Sequence, residues 1–190
     1  AARTIRPKIH RHIHDYLKPV ETTNVKMSSV SLQIDSLNME GTEDVLKRLK
    51  LDRRVPSVAP YLAGGSNEAK ALLARFIRHR LQHYAQNSNQ PQTGDVSGMS
   101  PYLHFCQIAP LRIALAVHES TTADEDSKRA YLEELIVRRE LSDNFCLHNP
   151  HYDDAAGFPD WARKTLEEHA ADPRAYIYDL DAFQNAATHD

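Results

Sequence analysis

The stretch Val96-Ser97-Gly98-Met99-Ser100-Pro101-Tyr102-Leu103-His104-Phe105 is the most chemically informative in the chain. Gly98 lets a backbone approach a ligand closely. Ser97 and Ser100 offer hydroxyls, and Ser100-Pro101 opens a helix whose free N–H groups face the same loop. Together they make an anion cradle suited to a phosphate. A capped helix after a turn is the plainer reading, and physics alone favours it. A second constellation runs from Glu133 to Phe145. Glu134 and Arg138 stand at i and i+4, so they share a helix face and can pair. Exposed, such a pair is worth under ~1 kcal/mol. At the mouth of a pocket, the same arginine-held carboxylate could hydrogen-bond a planar, uncharged ligand edge.

Other reactive side chains carry less. His10, His12 and His14 alternate, but on a helix these positions do not face together as metal ligands must. His148 and His151 are equally weak, so no metal site is assigned. Cys106 reads as a small buried residue rather than a nucleophile. The face from Arg75 to His83 could meet a nucleic-acid backbone, although a solvated helix surface is the commoner outcome.

Helices must position these residues. Ile5, Ile9, Ile13 and Leu17 recur every four residues in a basic segment, with Pro7 limiting how early its helix starts. Ser29 to Ile34 alternates with period two, as a short strand would. A small helix is expected over Glu43 to Leu49, then an extended connector marked by Pro56 and Pro60. From Ser66, which can cap, the residues Ala69, Leu72, Leu73, Phe76, Ile77, Leu81 and Tyr84 form one apolar stripe. Asn87 to Asp95 is a loop. Short helices follow from Pro101 and Pro110. Ser127 can cap a long helix with Tyr131, Leu132, Leu135, Ile136 and Phe145 on its apolar side. Residues 147–158 read as irregular. Asp160 can cap a further helix, and Tyr176 to Ala187 is weakly helical after Pro173. The fold class is mainly α.

Composition bounds the rest. The 190 residues allow one domain, or parts of two. A formal net charge of −3 excludes a uniformly basic nucleic-acid coat, though not a local basic face. Mean hydropathy is −0.57, and no apolar run approaches the ~18 residues that span a bilayer, so no membrane role is expected. The first residues lack the apolar core of a signal peptide. Two cysteines make no disulfide framework and no paired metal motif, which points to a reducing, intracellular setting. Ala1 at the start and Thr188-His189-Asp190 at the end lead us to expect processing, or a piece of something longer.

These blocks resemble the DNA photolyases, specifically the class II cyclobutane pyrimidine dimer photolyases. Ser97 to Phe105 is similar to the family block SGLSPYLHFG, and Leu132 to Cys146 to its LEELIVRRELSDNFC block. His151-Tyr152-Asp153, Trp161-Ala162-Arg163-Lys164 and Tyr176-Ile177-Tyr178 follow the family's spacing. Ala1 to Ile9 is similar to the segment closing the family's N-terminal α/β domain. The resemblance implies the N-terminal half of a helical FAD-binding domain at 61–190, preceded by the tail of the α/β antenna domain (1–20) and an interdomain linker (21–60). It implies FAD contacts from Tyr84, from the loop Val96, Ser97, Gly98, Met99 and Ser100, from Tyr131 and from Arg138. It implies that Glu134 hydrogen-bonds the flipped-out dimer, with Arg138 and Arg139 near flavin and DNA. The implied activity is light-driven repair of pyrimidine dimers in double-stranded DNA by a monomeric enzyme, with reduced FAD as electron donor.

The chain also departs from that family. The arginine usual in the loop after the flavin tyrosine is Ser88, and the glycine usual after Phe105 is Cys106. Class I relatives place tryptophan where Val137 stands. Trp161 is the sole tryptophan. Family members continue past THD with PLWNA and a further helical half that completes the flavin pocket. A fragment with an incomplete pocket, inactive alone, is therefore expected. The alternative is a helical interaction module that keeps the scaffold without catalysis.

Overall fold

The computed structural model describes residues 2–21, 24–29, 31–35, 41–52, 54 and 56–189. Its regular structure is helical, with no strand among the described residues. No described helix is long and apolar enough to cross a membrane. The chain divides into two units, Ala1–Leu141 and Ser142–Asp190.

In the first unit, α1 (Ala2–Tyr16) half-buries the expected stripe of Ile5, Ile9, Ile13 and Leu17. It starts earlier than Pro7 suggests and runs through that residue. The proline ring only removes one N–H near the helix start, so the helix survives with one bond fewer. The strand expected at Ser29–Ile34 is not formed at its described residues (Val30 lies outside them). The Leu32 N–H instead bonds the Ser29 carbonyl at 3.0 Å in a turn, and Leu32 and Ile34 are exposed. Alternation alone cannot make a strand where no second strand pairs its backbone. Helix α2 (Thr42–Arg48) lies where expected.

Helix α3 (Ser66–His79) is capped by Gly65, not by Ser66, which is its first residue. Ala69, Leu73 and Phe76 are buried on its inner face, with Leu72 and Ile77 half-buried. The stripe does not continue as one helix. Arg80 (φ −125°, ψ −30°) breaks it, a 3₁₀ turn follows at Leu81–His83, and α4 (Tyr84–Asn87) restarts it. Leu81 and Tyr84 still reach the core. So do Met99 and Tyr102 around α5 (Ser100–His104), Ile113 and Val117 of α6 (Pro110–His118), and Tyr131 of α7 (Glu125–Leu132).

Two further details differ from expectation. Asp124, not Ser127, caps α7, its Oδ1 accepting from the Ser127 N–H at 2.7 Å. Aspartate ends the preceding loop with extended backbone, the geometry a cap requires. Cys106 is exposed rather than buried. It follows α5 with φ +54°, its N–H on the Leu103 carbonyl (3.2 Å) and the Gln107 N–H on that of Tyr102 (2.8 Å). This is a Schellman ending, whose left-handed residue turns outward and favours glycine. After α7 the chain widens into a π-turn at Glu133–Arg138 and continues as α8 (Arg139–His148).

None of the described residues of the second unit is buried. Its helices are α9 (Asp160–Glu168), with Pro159 rather than Asp160 at the cap position, and α10 (Leu180–Gln184), where Asp179 accepts from the Ala182 N–H at 2.8 Å. Phe145, expected on an apolar side, is exposed, as are Phe183 and Trp161. Tyr176 stacks on His189 with ring centroids 4.0 Å apart. Ala186 repeats the Schellman ending behind α10, with φ +51°.

Candidate functional site

The interrupted α3 stripe creates the site. Because the helix restarts at Tyr84, that ring turns into a cluster instead of continuing along α3. Tyr84 meets Tyr131 edge-on, with centroids 5.0 Å apart, and Phe76 at 6.0 Å. Phe76 and Tyr131 lie 4.9 Å apart, closing the triangle. Such aromatic pairs add ~0.5–1.5 kcal/mol each beyond the area they bury.

The loop that carries Val96 to Ser100 is drawn to this cluster from both ends. Asn87 Nδ2 donates to Asp95 Oδ2 at 2.6 Å, closing the loop behind α4. On the far side, the Tyr102 hydroxyl donates to the Ala63 carbonyl at 2.7 Å, and the Gly65 N–H donates to Gln107 Oε1 at 2.8 Å. These bonds fasten α5 to the start of α3. Between the anchors, Ser97 is half-buried and lies beside the Tyr131 phenol. The Met99 N–H donates to Ser97 Oγ at 3.3 Å, and the Met99 side chain is fully buried. Gly98 has φ +68°, where an L side chain is strained, and a Cβ there would stand 3.3 Å from Leu72 Cδ2. Val96 and Ser100 are exposed.

Electrostatics joins the second constellation to the first. Glu134 and Arg138 pair across one turn, Nε to Oε1, at 2.9 Å on the exposed side of the π-turn. Burial pushes the Tyr84 phenol above its ordinary pKa; the Glu134 carboxylate pushes the same way and Arg138 opposes it. Burial also pushes Tyr131 up to about 12, while the neighbouring Ser97 hydroxyl works against that rise and Tyr84 adds to it. Both phenols are thus neutral donors at ordinary pH. Tyr84 and Tyr131 are in ring contact, Glu134 and Arg138 are paired within electrostatic reach of Tyr84, and Ser97 lies beside Tyr131, although the sequence spreads these residues over 55 positions. Arg139 is exposed at the start of α8.

Glu133, one residue before this pair, points to α1, where Arg6 and His10 both engage its carboxylate, His10 Nε2 at 3.2 Å. The alternating histidines therefore separate: His10 serves Glu133, and His12 serves Asp15 at 3.1 Å. No group of three or more candidate metal ligands occurs among the described residues. A cavity of about 580 Å³ lies between α1, α6 and the π-turn, lined by Ile9, Ile13, Leu17, Leu111, Ala114 and Ile136.

The residue that sequence reasoning missed is Ser127. It is almost fully buried, donating to the Gln82 carbonyl at 3.1 Å and accepting from the Ala85 N–H at 3.4 Å. Its position just inside a helix gave a capping signal that concealed this long-range role.

The comparisons agree on one kind of relative. Over 190 aligned residues the chain is 38% identical to the deoxyribodipyrimidine photo-lyase of Methanothermobacter thermautotrophicus, matching all of this chain and 40% of that protein. It is 35% identical to the enzyme of that name from Arabidopsis thaliana, over all of this chain and 39% of the relative. For Potorous tridactylus the identity is 34%, over all of this chain and 35% of the relative. The chain thus spans 35–40% of the length of these curated relatives. No family model matches it.

Proposed function

For a chain that belongs to the photolyase family, we propose that it supplies the phosphate side of a flavin pocket and the adjoining lesion-reading carboxylate of a class II cyclobutane pyrimidine dimer photolyase. The family membership rests on similarity over all 190 residues. On this reading residues 1–20 end the antenna domain, 21–60 form the linker and 61–190 begin the helical flavin domain.

The donor chemistry fits FAD. Gly98 leaves the loop bare of a side chain, Ser97 and Ser100 flank it with hydroxyls, and Tyr84 and Tyr131 add neutral phenols. Hydroxyls, phenols and the Arg138 charge are the groups that bind a diphosphate and ribityl chain. When bound, reduced FAD supplies the electron for light-driven cleavage of the cyclobutane ring. The chain's own residues bind and orient. Tyr84, Val96 to Ser100, Tyr131 and Arg138 hold the cofactor. Glu134 accepts hydrogen bonds from the planar edge of an extruded pyrimidine pair, and Arg138 fixes the carboxylate. Arg139 faces the phosphates of the surrounding double-stranded DNA. The enzyme works as a monomer in the compartment that holds DNA.

One observation supports this reading: the Tyr84 ring, assigned to the cofactor, packs edge-on against Tyr131 and lies within electrostatic reach of Glu134 and Arg138, assigned to the lesion. The test is affinity for a dimer-containing oligonucleotide and its undamaged twin, measured on the full-length enzyme. Glu134→Ala should reduce the preference for the dimer by about 1–3 kcal/mol while FAD stays bound. Unchanged preference would remove Glu134 from lesion recognition.

A further inference from the structure

We propose that Ser127 is a positioning residue for the cofactor site: its hydroxyl holds the kinked segment 81–85 so that Tyr84 faces Tyr131 and Ser97. The inference rests on the cofactor reading above for its purpose, but on hydrogen bonds alone for its geometry.

A helix broken at Arg80 loses the regular bonds that would fix the next turn. Carbonyls on either side of the break need other donors, and two hydroxyls from the α6–α7 region supply them. Thr122 Oγ1 donates to the Ile77 carbonyl at 2.7 Å, near the end of α3. Ser127 Oγ donates to the Gln82 carbonyl at 3.1 Å, inside the 3₁₀ turn, and accepts from the Ala85 N–H at 3.4 Å, just past Tyr84. Ser127 therefore grips the backbone on both sides of Tyr84, whereas Thr122 grips it before the break. Ser127 is itself held, its own N–H bonded to the Asp124 carboxylate at 2.7 Å. It stands four residues before Tyr131, on the same face of α7, so one helix carries both the grip and the ring that Tyr84 must meet. Without the hydroxyl, a part-buried carbonyl and N–H lose this partner, and their relief is rotation of the segment towards solvent. That rotation would carry Tyr84 out of the cluster.

Ser127 touches neither the proposed phosphate loop nor Glu134, so its effect must pass through Tyr84. The experiment compares Ser127→Ala with Thr122→Val, each of which removes one hydroxyl-to-carbonyl bond. Both are made in the full-length enzyme labelled with fluorotyrosine. Fluorine NMR at neutral pH reads Tyr84, its signal assigned by its loss in Tyr84→Phe, and FAD fluorescence reads cofactor binding. We expect Ser127→Ala to move the Tyr84 signal towards that of exposed Tyr61 and to weaken FAD binding about tenfold or more, with helix content unchanged. Thr122→Val should leave both in place. A Tyr84 signal unmoved by Ser127→Ala, or moved equally by Thr122→Val, overturns the proposal, as does a moved ring with undiminished FAD affinity. If the unsubstituted full-length enzyme binds no FAD while Ser127→Ala moves Tyr84, the positioning role stands and the cofactor reading fails. Should Ser127→Ala not fold, Ser127→Cys, which keeps a weak donor, carries the same comparison.

Discussion

In the first unit a serine on α7 holds backbone 45 residues earlier in the chain, and a tyrosine on α5 reaches 39 residues back to Ala63. In the second unit the side-chain bonds between Tyr178 and His189 span 11 residues. The first unit closes around Phe76, Leu81, Ile113 and Val117. The second has caps, turns and a stacked aromatic group, but no buried side chain among its described residues. Both are helical by the same local rules. Only the first turns its helices into a fixed arrangement of distant side chains, which is what a binding site requires.

Removing a large ring from each unit tests that contrast most strongly. Phe76→Ala should cost the first unit about 3–5 kcal/mol, because it leaves a cavity inside a tight aromatic triangle. Phe183→Ala, at an exposed position, should cost under about 1 kcal/mol. Urea unfolding measured by near-ultraviolet circular dichroism gives both values, and similar losses would abolish the distinction.

Alkali gives a smaller effect confined to the first unit. The Tyr131 phenol is raised from 10 to about 12 in the folded chain. A raised folded pKa contributes stability that is complete below pH 10 and lost as pH rises through about 12. Two pH units correspond to about 2–3 kcal/mol at most. Urea midpoints should therefore fall over that window in the parent chain, and fall distinctly less in Tyr131→Phe.

The smallest effect sharpens the comparison, because the two units share one motif. Cys106 and Ala186 both occupy the left-handed position of a Schellman ending. A side chain there costs about 1–2 kcal/mol, and glycine returns about 0.5–1 of that as unfolded-state entropy. Cys106→Gly should raise the stability of the first unit by about 0.5–1 kcal/mol. Ala186→Gly should slow amide exchange at the end of α10 and leave the first unit's unfolding midpoint where it was.

Much of this was legible in the residues. The α3 stripe as far as Ile77, the prolines opening α5 and α6, and the spacing of Glu134 and Arg138 each obey short-range rules, and each appears where those rules put it. The misreadings have a common physical source. Ser66, Ser127 and Asp160 were all plausible caps, yet in each case the preceding residue or loop set the helix start. Cys106 reads as buried by residue type, but backbone geometry decides its place. The alternation at Ser29–Ile34 lacks a pairing partner, a non-local condition that no window of residues contains. Ser127 is the clearest case, since its role depends on a break in another helix.

The position of the chain's single indole has a practical consequence. Trp161 lies in the second unit with 73% of its surface in water. Its emission starts close to the solvated limit and has little room to change. A melting curve followed through intrinsic tryptophan light would thus report a region without an interior and stay nearly blind to the collapse of the tyrosine-lined hub. Tyrosine dichroism, not indole fluorescence, is the signal by which this chain's integrity should be judged.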